Sequence, residues 1–251
     1  MSFCDLGGRT ALVTGSSRGI GRAAALLLAH LGARVVFHGS RASEKLASAV
    51  AGAGDGATAL TADFENPDEI AALAKTLKER ALAPDILVLN ASVQSYTGIM
   101  ACGEEEFTRM FRANVASSLV LLRELLPAMR ERKFGRVIFV GSINGVRPAP
   151  RLAIYGATKA ALMNLARTAA QENAPYGITV NTVLPGVIET DRNVEALSDA
   201  GFAAKLREKI PMRRFGTPEE CAGAIAFLAS DAAAYITGAE IPVDGGGAFA
   251  N

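Results

Sequence analysis

Thr14-Gly15-Ser16-Ser17-Arg18-Gly19-Ile20-Gly21 grows out of the apolar run TALVT at 10–14 and opens a stretch where Ile20, Ala24, Leu27, Leu28 and Leu31 recur at helical spacing. Strand, glycine loop and helix therefore succeed one another, and Gly32 closes the helical segment. Gly15 permits the sharp turn out of the strand, Gly19 lets backbone approach a bound group, and Gly21 lets the helix pack closely. The first turn of that helix carries N–H groups with no intrahelical partner, which suit phosphates. In this setting the loop, with Ser17, Arg18 and Ile20 between its glycines, predicts a site for a dinucleotide pyrophosphate.

The same rhythm continues outward. Apolar runs RVVF at 34–37, ILVLN at 86–90, RVIFVG at 136–141 and ITVNTVL at 178–184 alternate with helical patterns near 42–52, 68–81, 104–132 and 153–174. Segments 57–61 and 239–243 read as two more strands. Such alternation predicts an α/β fold: a Rossmann-type, doubly wound parallel sheet of seven strands with helices on both faces, formed by 1–251 as a single dinucleotide-binding domain. Pro127 should bend or break the long pattern at 104–132. Segment 190–217 is charged and weakly periodic, and reads as a lid over the site.

Composition narrows the function. Lys+Arg 26 against Asp+Glu 25 leaves a net charge of +1, which offers no footprint for nucleic acid or an anionic membrane. The N-terminal MSFCDLGGRT has no basic segment followed by an apolar run, and no apolar stretch approaches the roughly 18 residues of a membrane span. A soluble, cytoplasmic protein is expected. Cys4, Cys102 and Cys221 fit neither a disulfide framework nor a zinc site, and His30 and His38 read as structural, so no metal is expected.

The Gly-x-x-x-Gly-x-Gly spacing departs from the general Gly-x-Gly-x-x-Gly fingerprint and resembles that of the classical short-chain dehydrogenases/reductases. Tyr155 and Lys159, in Tyr155-Gly156-Ala157-Thr158-Lys159, share one helix face. Ser142 ends the strand before them, and Asn114 lies in the long helical pattern. Each has an ordinary reading alone, as packing, cap or solvated surface. Together they resemble the family's Asn-Ser-Tyr-Lys tetrad. The resemblance runs from about Gly8 to Gly247 and takes in Asn181, Pro185-Gly186, Thr190 and Val243-Asp244-Gly245-Gly246.

That resemblance implies an oxidoreductase interconverting a carbonyl and an alcohol. Tyr155 would be the proton donor, Lys159 the cation that tunes it and holds the nicotinamide ribose, Ser142 the anchor of the substrate oxygen, and Asn114 the anchor of a water feeding the proton path. After the second strand, Phe37-His38-Gly39-Ser40-Arg41 lacks the acid of NAD-specific members, so Arg18 and Arg41, with Ser17 or Ser40, are expected to bind the 2′-phosphate of NADP(H). Asp63 would accept from the adenine amino group, and Phe64 and Asn90 would also contact the cofactor. Pro185, Gly186, Ile188 and Thr190 would meet the nicotinamide. Ser92 replaces a family glycine, where serine tolerates positive φ poorly. Gln94, Tyr96, Asn144, Arg147 and Arg192 favour a small polar substrate such as a sugar, polyol or keto acid. The alternatives are a 3-oxoacyl-thioester (acyl-carrier-protein) reductase and a non-catalytic nicotinamide-binding sensor or scaffold. A homotetramer is the family expectation.

Overall fold

The computed structural model describes residues 4–248. Its strands are β1 (Thr10–Val13), β2 (Arg34–Gly39), β3 (Thr58–Thr61), β4 (Ile86–Leu89), β5 (Gly135–Val140), β6 (Ile178–Pro185) and β7 (Glu240–Val243), lying in the order β3-β2-β1-β4-β5-β6-β7. Every neighbouring pair is parallel. Such a sheet must be covered on both faces, which is why β4, β5 and β6 are buried along their whole length. Alternate residues feed two cores. Leu12, Val36, Leu87, Val137, Phe139 and Val180 face α3 (Pro67–Glu79), α5 (Ser117–Arg132) and α6 (Ala153–Asn173). Val13, Val35, Phe37, Val88, Ile138 and Val183 face α1 (Gly19–His30), α2 (Glu44–Ala51) and α9 (Pro218–Ala229). The strand order reverses between β1 and β4, opening a crevice beyond their carboxyl ends.

Three local readings change. The pattern at 104–132 is not one helix bent at Pro127. It divides into α4 (Glu104–Phe111), a π-helical turn (Arg112–Ala116) and α5, which runs on through Pro127. The break falls where Asn114 turns inward to bond with the backbone of Val93. Segment 190–217 is more ordered than its weak periodicity suggests, with α7 (Val194–Leu197) and α8 (Ala200–Glu208), the latter capped by Asp199. Helix α9 went unread although its start was legible: Thr217 and Glu220 form a capping box around Pro218. Its Ala222, Ile225, Ala226 and Ala229 join Ala24, Ala25 and Leu28 of α1 in one core.

His38 is structural, as its sequence context suggests, and its role is specific. The ring is 2% exposed and stacks on Phe64 at 4.3 Å between centroids. Its Nδ1 accepts from the Gly15 amide at 3.1 Å, and its Nε2 lies 3.0 Å from the Ala62 carbonyl. Only the neutral tautomer with the proton on Nε2 satisfies both contacts. Burial, partly offset by the hydrogen bond to Ala62, lowers its pKa from 6.5 to about 4. The folded value is depressed, so the unfolded chain takes up the proton first. This contribution is therefore whole above pH 6.5 and is lost as pH falls toward 4. Urea unfolding at pH 7 and pH 4 should show a loss of roughly 3 kcal/mol from this group, from about 1.4 kcal/mol per pKa unit. His38→Gln should be weaker at pH 7 and flatter with pH. Parallel pH profiles for the two proteins would refute the assignment.

Candidate active site

The crevice is a cleft of about 1450 Å³ running from the β2 end to the α7–α8 segment. At its centre Gly15, with φ +64°, turns the chain out of β1 in the left-handed region that favours glycine. A side chain at Gly21 would put a Cβ 2.4 Å from both the Gly15 carbonyl and Asn90 Nδ2, so α1 can pack this closely only with glycine there. Asn90 secures the loop, its Nδ2 donating to the carbonyls of Thr14 (2.9 Å) and Gly15 (3.1 Å). Thr14 Oγ1 in turn donates to the Val88 carbonyl and accepts from the amides of Asn90 and Ala91. Nothing in the glycine-loop spacing signals this clamping role of Thr14. Helix α1 has no side-chain cap and no acid in its first turn, so its leading amides face the cleft available for an anion. This cradle fits a dinucleotide pyrophosphate.

The sequence-predicted cofactor residues gather along the cleft. Gly15, Ser17, Arg18, Gly19, Ile20, Gly21, Ser40, Asp63, Phe64, Asn90, Pro185, Gly186, Ile188 and Thr190 all line it. Arg41 is exposed next to Ser40 and is not among the residues that line the cleft. Asp63 does not cap α3; that role belongs to Asn66. Ser92 does not adopt positive φ, and the strain expected of a serine there does not arise. Its Oγ and carbonyl instead accept from Arg192 at 3.1 and 2.7 Å.

The tetrad residues converge at the end of β5. Ser142 Oγ accepts from the backbone and side-chain nitrogens of Asn144 at 3.1 and 3.3 Å and lines the cleft together with Tyr155. Tyr155 and Lys159 are both buried on α6, with Lys159 Nζ 5.5 Å from the Tyr155 ring centroid and donating to the Val140 carbonyl at 2.9 Å. Burial raises the Tyr155 pKa; Arg192 and the Ser142 hydroxyl pull the other way. Burial, with the nearby charge of Arg192, lowers Lys159 from 10.5 to about 7. A buried phenol held in its protonated form is suited to give a proton to a developing oxyanion. Asn114 is fully buried behind the cleft and does not line it. Its amide hydrogens go to the Val93 carbonyl and Thr158 Oγ1, and its Oδ1 accepts from the Val93 amide. The side chain thus ties the loop after β4 to α6.

The substrate end is closed by loops and α7–α8. Gln94, Tyr96, Asn144, Arg147 and Arg192 line it as expected, joined by Ile143, Leu152, Leu197, Phe202 and Leu206. The apolar contribution of α7 and α8 was not foreseen, because the segment's periodicity is weak.

Residues 15–247 match the family model described as enoyl-(acyl carrier protein) reductase. The 3-oxoacyl-(acyl-carrier-protein) reductase FabG of Vibrio cholerae is 41% identical over 243 residues, covering 96% of this chain and 98% of that protein. FabG of Escherichia coli is 40% identical over 240 residues, covering 95% and 97%. A crystal structure of a 3-oxoacyl (acyl-carrier-protein) reductase from Agrobacterium tumefaciens with NADP bound matches with TM-score 0.92 at 38% identity, over 97% of this chain and 96% of that one. A candidate gluconate dehydrogenase from the same organism matches with TM-score 0.95 at 34% identity, over 99% of each chain. Extending as it does over nearly the whole length, from the glycine loop to the turn after β7, this likeness is one of family: the chain belongs to the short-chain dehydrogenases/reductases, a family of oxidoreductases.

Proposed function

We propose that the protein is an NADPH-dependent reductase of 3-oxoacyl thioesters, with Tyr155 as proton donor. The observation that carries the reading is Tyr155 buried beside Ser142 and Lys159 at the end of a cleft whose other half is a dinucleotide cradle. A bound nicotinamide supplies the hydride. The chain's residues do the rest. Ser142 and Tyr155 hold the substrate oxygen, and Tyr155, kept protonated by burial, hands over its proton as charge develops. Lys159, with a pKa near 7, can exchange protons with its surroundings at neutral pH. Asn114 acts by fixing the loop after β4 against α6.

The thioester is favoured over the sugar, polyol or keto acid by the relatives at about 40% identity, which are 3-oxoacyl-(acyl-carrier-protein) reductases, and by the apolar side chains of Leu197, Phe202 and Leu206, which suit an acyl chain. Gln94, Asn144 and the arginines of the same lining favour a small polar substrate, which stands as the second reading. The proposal extends to 190–217 as a lid and to a single catalytic domain.

Tyr155→Phe should lower the reduction rate by about 10²-fold or more while NADPH affinity stays within a few-fold, since one hydroxyl leaves the proton path. A variant keeping more than about a tenth of the parent rate would exclude Tyr155 as the acid. The parent should prefer NADPH to NADH by about tenfold or more in kcat/KM, the scale of one charge-assisted contact. Arg18→Ala should erode that preference more than Arg41→Ala, because only Arg18 lines the cleft. Equal effects of the two changes would contradict the assignment. Finally, kcat/KM for an acetoacetyl thioester should exceed that for sugars and polyols by about a hundredfold. The reverse order would return the assignment to the polar reading.

A further inference from the structure

Arg192 stands out at the substrate end of the cleft. Its two terminal nitrogens are spent on Ser92, one on the hydroxyl and one on the carbonyl, and both acceptors are neutral. It is exposed and lines the same cleft as Tyr155, close enough for its charge to act on the Tyr155 hydroxyl. Around it the lining carries Arg147, Arg151 and Lys209. Arg147 and Arg151 donate to the backbone carbonyls of Gly247 and Tyr96. Of the acids in the lining, Asp191 is engaged by Lys45 of α2 at 2.6 Å and Glu65 by Arg109 at 3.0 Å. Among the described residues no carboxylate forms a salt bridge with Arg192, Arg147 or Arg151, and the charge of Arg192 acts on both Tyr155 and Lys159.

We propose that Arg192 is a specificity-determining receptor for a substrate carboxylate, giving the enzyme a second substrate class: short free oxo acids with the carboxylate one or two carbons from the carbonyl. The spacing follows from Tyr155. A substrate oxygen hydrogen-bonded to that hydroxyl sits about 3 Å from it, and a guanidinium that lines the same cleft end, held on Ser92 of the loop after β4, is then a short spacer from the carbonyl. A carboxylate can take both terminal nitrogens in place of Ser92, exchanging two neutral acceptors for a bidentate, charge-assisted pair. A carrier-linked phosphate does not compete for this position, because the full pantetheine arm separates it from the acyl carbonyl. In the reaction the carbonyl π bond breaks, the carbon gains a hydride, and the oxygen gains the Tyr155 proton. A reduced nicotinamide coenzyme is oxidised, and solvent restores the Tyr155 proton. The inference rests on Tyr155 as acid, but not on the thioester as substrate.

The test compares acetoacetate, 2-oxobutyrate, their methyl esters and an acetoacetyl thioester with the parent protein, Arg192→Met and Arg192→Lys. The parent should reduce one of the acids with kcat/KM about tenfold or more above its uncharged ester, the size of a charge-assisted bond. Arg192→Met should collapse that acid-to-ester ratio toward one, chiefly through KM, and Arg192→Lys should restore part of it. An acid-to-ester ratio near one in the parent, a ratio unchanged in Arg192→Met, or inactivity toward both acids overturns the proposal. The thioester arm reports separately. Turnover of the acid with an inert thioester supports Arg192 and removes the thioester reading, whereas an active thioester with no acid preference removes Arg192 alone.

Discussion

The Asn90 side chain donates to the carbonyls of Thr14 and Gly15, and the His38 ring accepts from the amide of Gly15, so the turn out of β1 is held by hydrogen bonds from two neighbouring strand ends. Backbone that leaves a parallel sheet into a cleft has no ladder to satisfy its polar groups, and these side chains take the ladder's place. The consequences spread from there. Because the loop is fixed, α1 starts close against Asn90 and directs its unpaired amides into the crevice. Because Thr14 also binds the amides of Asn90 and Ala91, the start of the loop carrying Ser92 and Val93 is placed by the same clamp. Asn114 then connects Val93 to α6, where Tyr155 and Lys159 reside. The glycine turn and the helix that carries Tyr155 are thus joined through one series of hydrogen bonds and the short loop after β4.

Much of this was legible in the sequence, for reasons that differ by element. The seven strands are short apolar runs bounded by polar turns, and burial on both faces makes such runs conspicuous. The tetrad spacing survives because Tyr155 and Lys159 share a helix face, a local property. Tertiary effects were harder to see. The π-helical turn at Arg112–Ala116 is set by Asn114 bonding across to Val93, and nothing in the local pattern signals it, whereas Pro127 looks disruptive and is accommodated. Arg41 and Arg18 look equivalent in the chain, but of the two only Arg18 lines the cleft. The serine at 92 looked like a liability while its hydroxyl had no visible partner; the partner comes from 100 residues further along.

The two halves of the cleft also differ in electrostatic character. Toward the β2 and β3 ends the lining carries the acids Asp63 and Glu65, the latter paired with Arg109. The loops after β5 and β6 contribute Arg147, Arg151 and Arg192, and α7 and α8 contribute the apolar Leu197, Phe202 and Leu206. Specificity is thus divided between elements that meet only in the folded chain: charge on the loops after β5 and β6, and apolar surface on the inserted helices.

Placing a buried histidine at the end of β2 has a consequence for how such a chain can evolve. Coenzyme choice in this fold is read at the end of that strand, and here the residue at that point also holds the glycine turn. An acid at position 38 would carry a charge into a site that excludes water, and it could not accept from Gly15 while donating to the Ala62 carbonyl unless it stayed protonated. At Gly39 a side chain would meet Leu46 and the Arg41 carbonyl at 3.2 and 3.3 Å. Ser40, exposed at the cleft edge, is the first position free to vary. A lineage carrying this histidine therefore has a narrow mutational path between the two nicotinamide coenzymes, and its ancestral preference is locked in by the packing of an unrelated turn.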